Sequence, residues 1–195
     1  MMTNNGQSDI KEIGERHWYV VHVRSRHEFS VTERLVKSGV DAFLPIVERL
    51  RRWKDRSKLI AFPLFPGYLF VNISKSNTIK LTVLKTPGVV RFIGLTPGEP
   101  EPVPSEQILS LKKLVESKET LDPYPYLKEG NRVKIKKGPL AGVDGILVER
   151  KGMHHLVLSV DILRQGVSIQ VEASSVSVII KGCFLSELLG RLFVH

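Results

Sequence analysis

Between Arg49 and Lys58 the chain places six basic residues, Arg49, Arg51, Arg52, Lys54, Arg56 and Lys58, against one acid, Asp55. Such a cluster does binding chemistry rather than bond-making chemistry. Guanidinium and ammonium groups attract phosphate, and release of the counterions condensed on a polyanion supplies the free energy. Trp53 in their midst offers a flat face on which an unpaired base can stack. A solvated loop tip has the same composition, so two readings of Arg52, Trp53, Lys54 and Arg56 stand side by side: a nucleic-acid contact and a soluble turn. The formal net charge of +9 over 195 residues favours a polyanionic partner, and an acidic protein surface would satisfy it too.

Catalytic and metal chemistry find little footing. The six histidines are scattered, and His154 and His155, adjacent in a strand-like stretch, would point to opposite faces and could not jointly grip one ion. The single cysteine, Cys183, excludes an internal disulfide and any Cys-x-x-Cys spacing. There is no Walker loop, Gly-x-Ser-x-Gly elbow or convincing carboxylate pair. The expectation is a protein without cofactor or metal, and not an enzyme. No run approaches the ~20 apolar residues of a membrane span, and residues 1–15 lack a secretion-type apolar core. A soluble cytoplasmic protein with no membrane partner follows as the expectation.

The elements that must position these residues are legible from pattern. Residues 1–15 read as a flexible tail. Trp18–Val23 is rich in aromatic and β-branched residues and predicts a strand. Ser25 and Glu28 have capping-box spacing before a helix that ends at Ser38, with Gly39 as its left-handed cap. A strand is expected over 42–50, then a basic hairpin arm turning around Lys54–Ser57. The apolar strand Tyr68–Ile73 follows, then a helix within 77–85, a Pro87-Gly88 turn, a strand over 89–93, and a helix from Ser105 with Ile108, Leu111 and Val115 at helical spacing. Polar residues with Pro123 and Pro125 predict a linker over 118–127. Beyond it, short strands near 131–137, 143–150, 154–160, 167–172 and 175–180 predict a five-stranded SH3-like barrel. Its first strand alternates Arg132, Lys134 and Lys136 against Val133 and Ile135, before a turn in which Gly138, Pro139, Gly142 and Gly145 are structural. Lys134, Lys136 and Lys137 read either as a solvated strand face or as an RNA contact. The fold class is α+β followed by all-β, and the tail 181–195 could form a short amphipathic helix.

Three ordered motifs give this layout a family likeness. Trp18-Tyr19-Val20-Val21, Pro63-Leu64-Phe65-Pro66-Gly67-Tyr68-Leu69-Phe70-Val71 and Gly138-Pro139-Leu140-Ala141-Gly142 together resemble NusG-type transcription elongation factors over roughly residues 16–180. The resemblance implies an N-terminal NGN domain (16–117), an antiparallel sheet with flanking helices, joined by the linker to a C-terminal KOW barrel (128–180). Lys85-Thr86-Pro87-Gly88-Val89-Val90-Arg91-Phe92 is similar to the specialised paralogues RfaH, UpxY and LoaP. In Ser159-Val160-Asp161-Ile162-Leu163-Arg164-Gln165, Leu163 and Arg164 stand where the housekeeping loop has Phe and Gly. That departure argues against Rho as a partner and weakens the case for ribosomal protein S10, which stays a candidate beside the loop residues Ile162, Leu163 and Arg164.

The family implies docking on the RNA polymerase clamp, with Tyr68 and Phe70 as the clamp-facing pair, Leu95 added to the same patch, and Thr82 near a second polymerase contact. From alternation alone, both rings could equally be core. Likewise Arg24, His27 and Arg34 fall where RfaH-like proteins touch non-template DNA, although a mixed-charge helix face is also simply solvated; nascent RNA is the other nucleic-acid candidate. The implied function is a monomeric antitermination factor that suppresses pausing or termination on selected operons. A ribosome-associated or RNA-binding KOW protein is the alternative that charge and barrel leave open. Dense β-branched alternation over Val167–Val178 predicts that the barrel does not convert to helices.

Overall fold

The computed structural model describes residues 15–52, 57–96, 99–117, 119–125, 130–150 and 152–178. Residues 1–14 of the expected tail 1–15, the expected tail 181–195, and Trp53, Lys54, Asp55 and Arg56 at the arm's tip lie outside them. The chain divides into two compact units, Met1–Ile108 and Leu109–His195, a division earlier than the expected end of the first domain at 117.

The first unit is built on antiparallel strands β1 (Arg16–Val23), β2 (Asp41–Phe43), β5 (Tyr68–Ser74) and β6 (Val89–Phe92), in the order β2-β5-β1-β6, with the short β7 (Pro102–Val103) pairing β1. Period-two alternation gives this sheet two faces. Tyr19, Val21 and Val23 of β1 and Leu69, Val71 and Ile73 of β5 share one face and enclose a core with Val31 and Leu35 of helix α1 (Glu28–Lys37) and Val83 of helix α2 (Asn77–Lys85). Burial raises the pKa of the Tyr19 phenol above its ordinary value. The other face carries Trp18, Val20 and His22 opposite Asn72, Phe70 and Tyr68. Pro45 ends β2, because proline has no N–H to give to a ladder, so the single strand expected over 42–50 is two. The second piece, β3 (Ile46–Arg52), pairs among the described residues only with β4 (Ser57–Pro63), and the basic arm is a two-stranded ribbon as expected. Helix α3 (Ser105–Glu116) runs across the division at Ile108, and its Ile108, Leu111 and Leu114 are buried.

The expected capping box does not form. Arg26 adopts a left-handed φ of 65° and the helix begins only at Glu28, so His27 holds the cap position without a side-chain bond. Glu28 thereby sits at the first helical residue instead of the third, and its carboxylate turns inward. It is 4% exposed and accepts a 2.8 Å bond from the Gly67 N–H. Gly39 is the left-handed cap, at φ 79°.

In the second unit the sheet order is β13-β9-β10-β11-β12-β8. The five expected strands are β9 (Asn131–Ile135), β10 (Asp144–Arg150), β11 (Met153–Val160), β12 (Gln165–Gln170) and β13 (Val176–Val178). The sixth, β8 (Leu121–Pro125), corrects the linker expected over 118–127. It pairs with β12 at the end of the sheet, where prolines are tolerated because an edge strand leaves half its N–H positions without ladder partners. Val133 and Ile135 are buried while Arg132, Lys134 and Lys136 are exposed, as alternation requires. Gly142 lies at φ 85°. Gly145 differs from the expectation: it needs no unusual angle, but a Cβ there would fall 2.7 Å from the Val157 carbonyl oxygen. The 131–178 segment is β-structured, with no helix longer than a 3-10 turn among its described residues.

Glu28→Ala should lower the stability of the first unit by about 1–3 kcal/mol, because it strands the buried Gly67 N–H. Urea unfolding followed by Trp18 fluorescence in a Trp53→Phe background measures the loss.

Candidate binding surfaces

Gly67 fixes the site that matters most. At φ 81° it occupies a region that a side chain would penalise by about 1–2 kcal/mol, and both of its backbone groups are held. Its N–H goes to Glu28 and its carbonyl accepts from the Val23 N–H at 2.8 Å. The turn is therefore tied to the start of α1 and to the end of β1, which sets where β5 begins. Tyr68, the next residue, is half-buried with its ring tilted at 34° against His22 at a 5.3 Å centroid separation. His22 in turn lies opposite Arg91 of β6. Tyr68, His22 and Arg91 thus form a row across three strands on one face, running from half-buried aromatic to exposed cation. His22 Nδ1 is buried without a hydrogen-bond partner, a donor or acceptor site left open in this row.

The expectation that both Tyr68 and Phe70 face outward is corrected for Phe70. It is 0% exposed, with the Phe43 ring 6.0 Å away and the Phe65 ring edge-on at 6.3 Å. Phe65 comes from the Pro63–Gly67 turn, so the segment that presents Tyr68 also seals Phe70. Leu95, just beyond β6, is 83% exposed. His22 and Arg91 were missed from the sequence because their relation to Tyr68 exists only through strand register.

The basic residues expected to meet DNA converge on a second surface. Arg24 and His27 are exposed on the turn between β1 and α1, and the Arg24 N–H is bound by the Gly88 carbonyl. Arg34 Nη1 donates to the Pro87 carbonyl at 2.7 Å. A cleft of about 510 Å³ opens beside it, lined by Arg34, Lys37, Ser38, Thr82, Lys85, Thr86 and Pro87. Thr82, expected with the polymerase contacts, therefore shares a cleft with Arg34. Lys37 is engaged by Glu33 at 2.6 Å, and that bond holds the Glu33 carboxyl below its ordinary pKa. Lys85 was not singled out from sequence, although its position at the last turn of α2, before Pro87-Gly88, was the available signal.

On the second unit, Asp161–Leu163 form a 3-10 turn and Arg164 takes a left-handed φ of 48°. Ile162 and Leu163 are half-buried, and Arg164 is exposed. A left-handed arginine where glycine would be relaxed is local strain. Arg52 is exposed on the ribbon. Among the described residues no group of His, Cys, Asp and Glu could hold a metal ion, and no helix is long and apolar enough to cross a membrane.

With this geometry in place, residues 16–112 match the family described as "NusG: Transcription termination factor nusG". Residues 16–112 are thus similar to a NusG-family domain. It is 27% identical over 175 residues to "Transcription termination/antitermination protein NusG" of Staphylococcus aureus strain Mu50, covering 83% of this chain and 95% of that one. The same figures hold for the Staphylococcus carnosus strain TM300 protein. Among solved structures, "Domain interaction in Thermotoga maritima NusG" matches with a TM-score of 0.52 and 22% identity, covering 84% of this chain and 97% of that one. That likeness establishes the fold. The matched segment ends inside α3, and it contains the Gly67 clamp, the Tyr68 row, the ribbon and the Arg34 cleft.

Phe70→Ala should cost about 3–5 kcal/mol, as for a sealed aromatic, while Tyr68→Ala leaves thermal unfolding much closer to wild type. Parallel melts of the two variants test this assignment, and equal losses would contradict it.

Proposed function

We propose that the protein is a cytoplasmic, non-enzymatic transcription elongation factor of the antitermination type. It binds RNA polymerase through its NusG-family domain and suppresses pausing or termination on selected operons. The observation that carries this reading is the half-buried Tyr68 on a turn clamped at both backbone groups of Gly67. A half-buried aromatic held in place by its own domain gains apolar contact on docking at little entropic cost. Its neighbours His22 and Arg91 add polar contacts at the rim, and the exposed Leu95 extends the apolar area.

The mechanism is a shift of populations. A factor that touches polymerase favours the elongating state only by the margin with which it binds that state better than the paused one. A tenfold preference, about 1.4 kcal/mol, suffices to shorten a pause markedly. The cleft of Arg34 and Lys85, with Arg24 and His27 nearby, supplies positive charge for single-stranded non-template DNA. Such contacts would add to the preference wherever the strand is exposed. The half-buried Ile162 and Leu163 with Arg164 form the recruiting loop of the second unit.

The test is a single-round pause assay with purified polymerase from the native organism. Saturating protein should shorten pause half-lives, and Tyr68→Ala, folded by its melt, should require at least about tenfold more protein for the same effect. Unchanged pausing at saturation would overturn the proposal.

A further inference from the structure

The β3–β4 ribbon presents an apolar pair to solvent. Leu50 lies directly opposite Leu59, which brings their Cβ atoms to about 5 Å, and the two residues are 55% and 60% exposed. Alternation puts Glu48 and Ala61 on the same face one row toward the base, and Arg52 and Ser57 one row toward the tip. All four are exposed. The opposite face differs, because its Val47, Ile60 and Phe62 are half-buried. Two-stranded ribbons are marginal in water, and a contiguous apolar pair left bare on one side of such a ribbon marks an interaction surface where a single exposed leucine would not.

We infer that this face is a self-association surface, and that its occupant is the same face of a second copy of the chain. The charge pattern chooses that occupant. Glu48 and Arg52 stand about 7 Å to either side of the leucine pair, one pleat repeat each way. A two-fold axis through the pair and across the strands therefore sets Glu48 of each copy over Arg52 of the other, with leucine upon leucine between them. A closed two-fold contact needs a patch that complements itself in this way. Rotation about the strand direction would instead set Glu48 over Ala61 and Arg52 over Ser57, leaving both charges unpaired across the contact. Size sets the strength. Six residues a side fall far short of the ~20–30 of a standard interface, so the dimer is reversible and the monomer implied by the family resemblance is its dilute form. The inference does not rest on polymerase binding, because the ribbon meets only its own copy.

The test is sedimentation velocity of the full-length protein between about 5 and 500 µM, the range of a weak contact. Nucleic acid is left out, and reductant keeps Cys183 from linking copies. The weight-average sedimentation coefficient of wild type should rise with concentration, while L50S/L59S should hold the monomer value throughout. Glu48→Arg and Arg52→Glu each set like charges across the contact and should weaken association at least about threefold. The double variant E48R/R52E restores the complementarity and should recover most of the loss, which separates a broken contact from a broken fold. Trp53→Ala and Tyr68→Ala should associate like wild type, so a failed polymerase assay and a failed dimer remain distinguishable. A constant coefficient for wild type, association retained in L50S/L59S, no recovery in E48R/R52E, or a loss in Trp53→Ala equal to that in L50S/L59S would overturn the inference.

Discussion

The first unit depends on one residue held from both sides. Gly67 gives its N–H to the buried carboxylate of Glu28 and takes the Val23 N–H on its carbonyl, so one turn is fastened at once to helix α1 and to the central strand β1. A charge-assisted bond to backbone is roughly twice as strong as a neutral one, and its burial shields it from water. The same turn sends Phe65 over Phe70 and starts β5 at Tyr68. Core sealing by Phe65 and presentation of Tyr68 are two consequences of one constraint.

Much of this architecture was readable from pattern. The alternation in Trp18–Val23 and Tyr68–Ile73, the Gly39 cap, the ribbon and the five barrel strands all rest on local periodicity or on residues with few backbone options. What pattern could not supply was long-range partnership. Glu28 looks like a capping residue because the local rule considers only its own helix, yet its acceptor role is filled by an amide thirty-nine positions away. Phe70 looks like Tyr68 because alternation gives face but not cover, and the cover is Phe65 from a proline-rich turn. Leu121–Pro125 looks like a linker because proline counts against strands in general, whereas at a sheet edge its missing N–H costs little.

The candidate surfaces divide the chemistry of the domain. The Tyr68–His22–Arg91 row is aromatic and only partly charged, which suits a protein partner, while the Arg34 cleft and the ribbon are cationic and suit phosphate. They draw on different physics. Apolar contact is insensitive to salt, whereas the cationic surfaces weaken as salt rises.

Site-specific photo-crosslinking gives the most direct test of the central claim. A benzophenone amino acid placed at position 68 in the otherwise intact protein, mixed with transcribing polymerase and irradiated, should yield a covalent adduct with a large polymerase subunit. The same probe at Val36, exposed at the end of helix α1 opposite to the Glu28–Gly67 bond, should not. Absence of any adduct from position 68, with the labelled protein shown to be folded, would contradict the account.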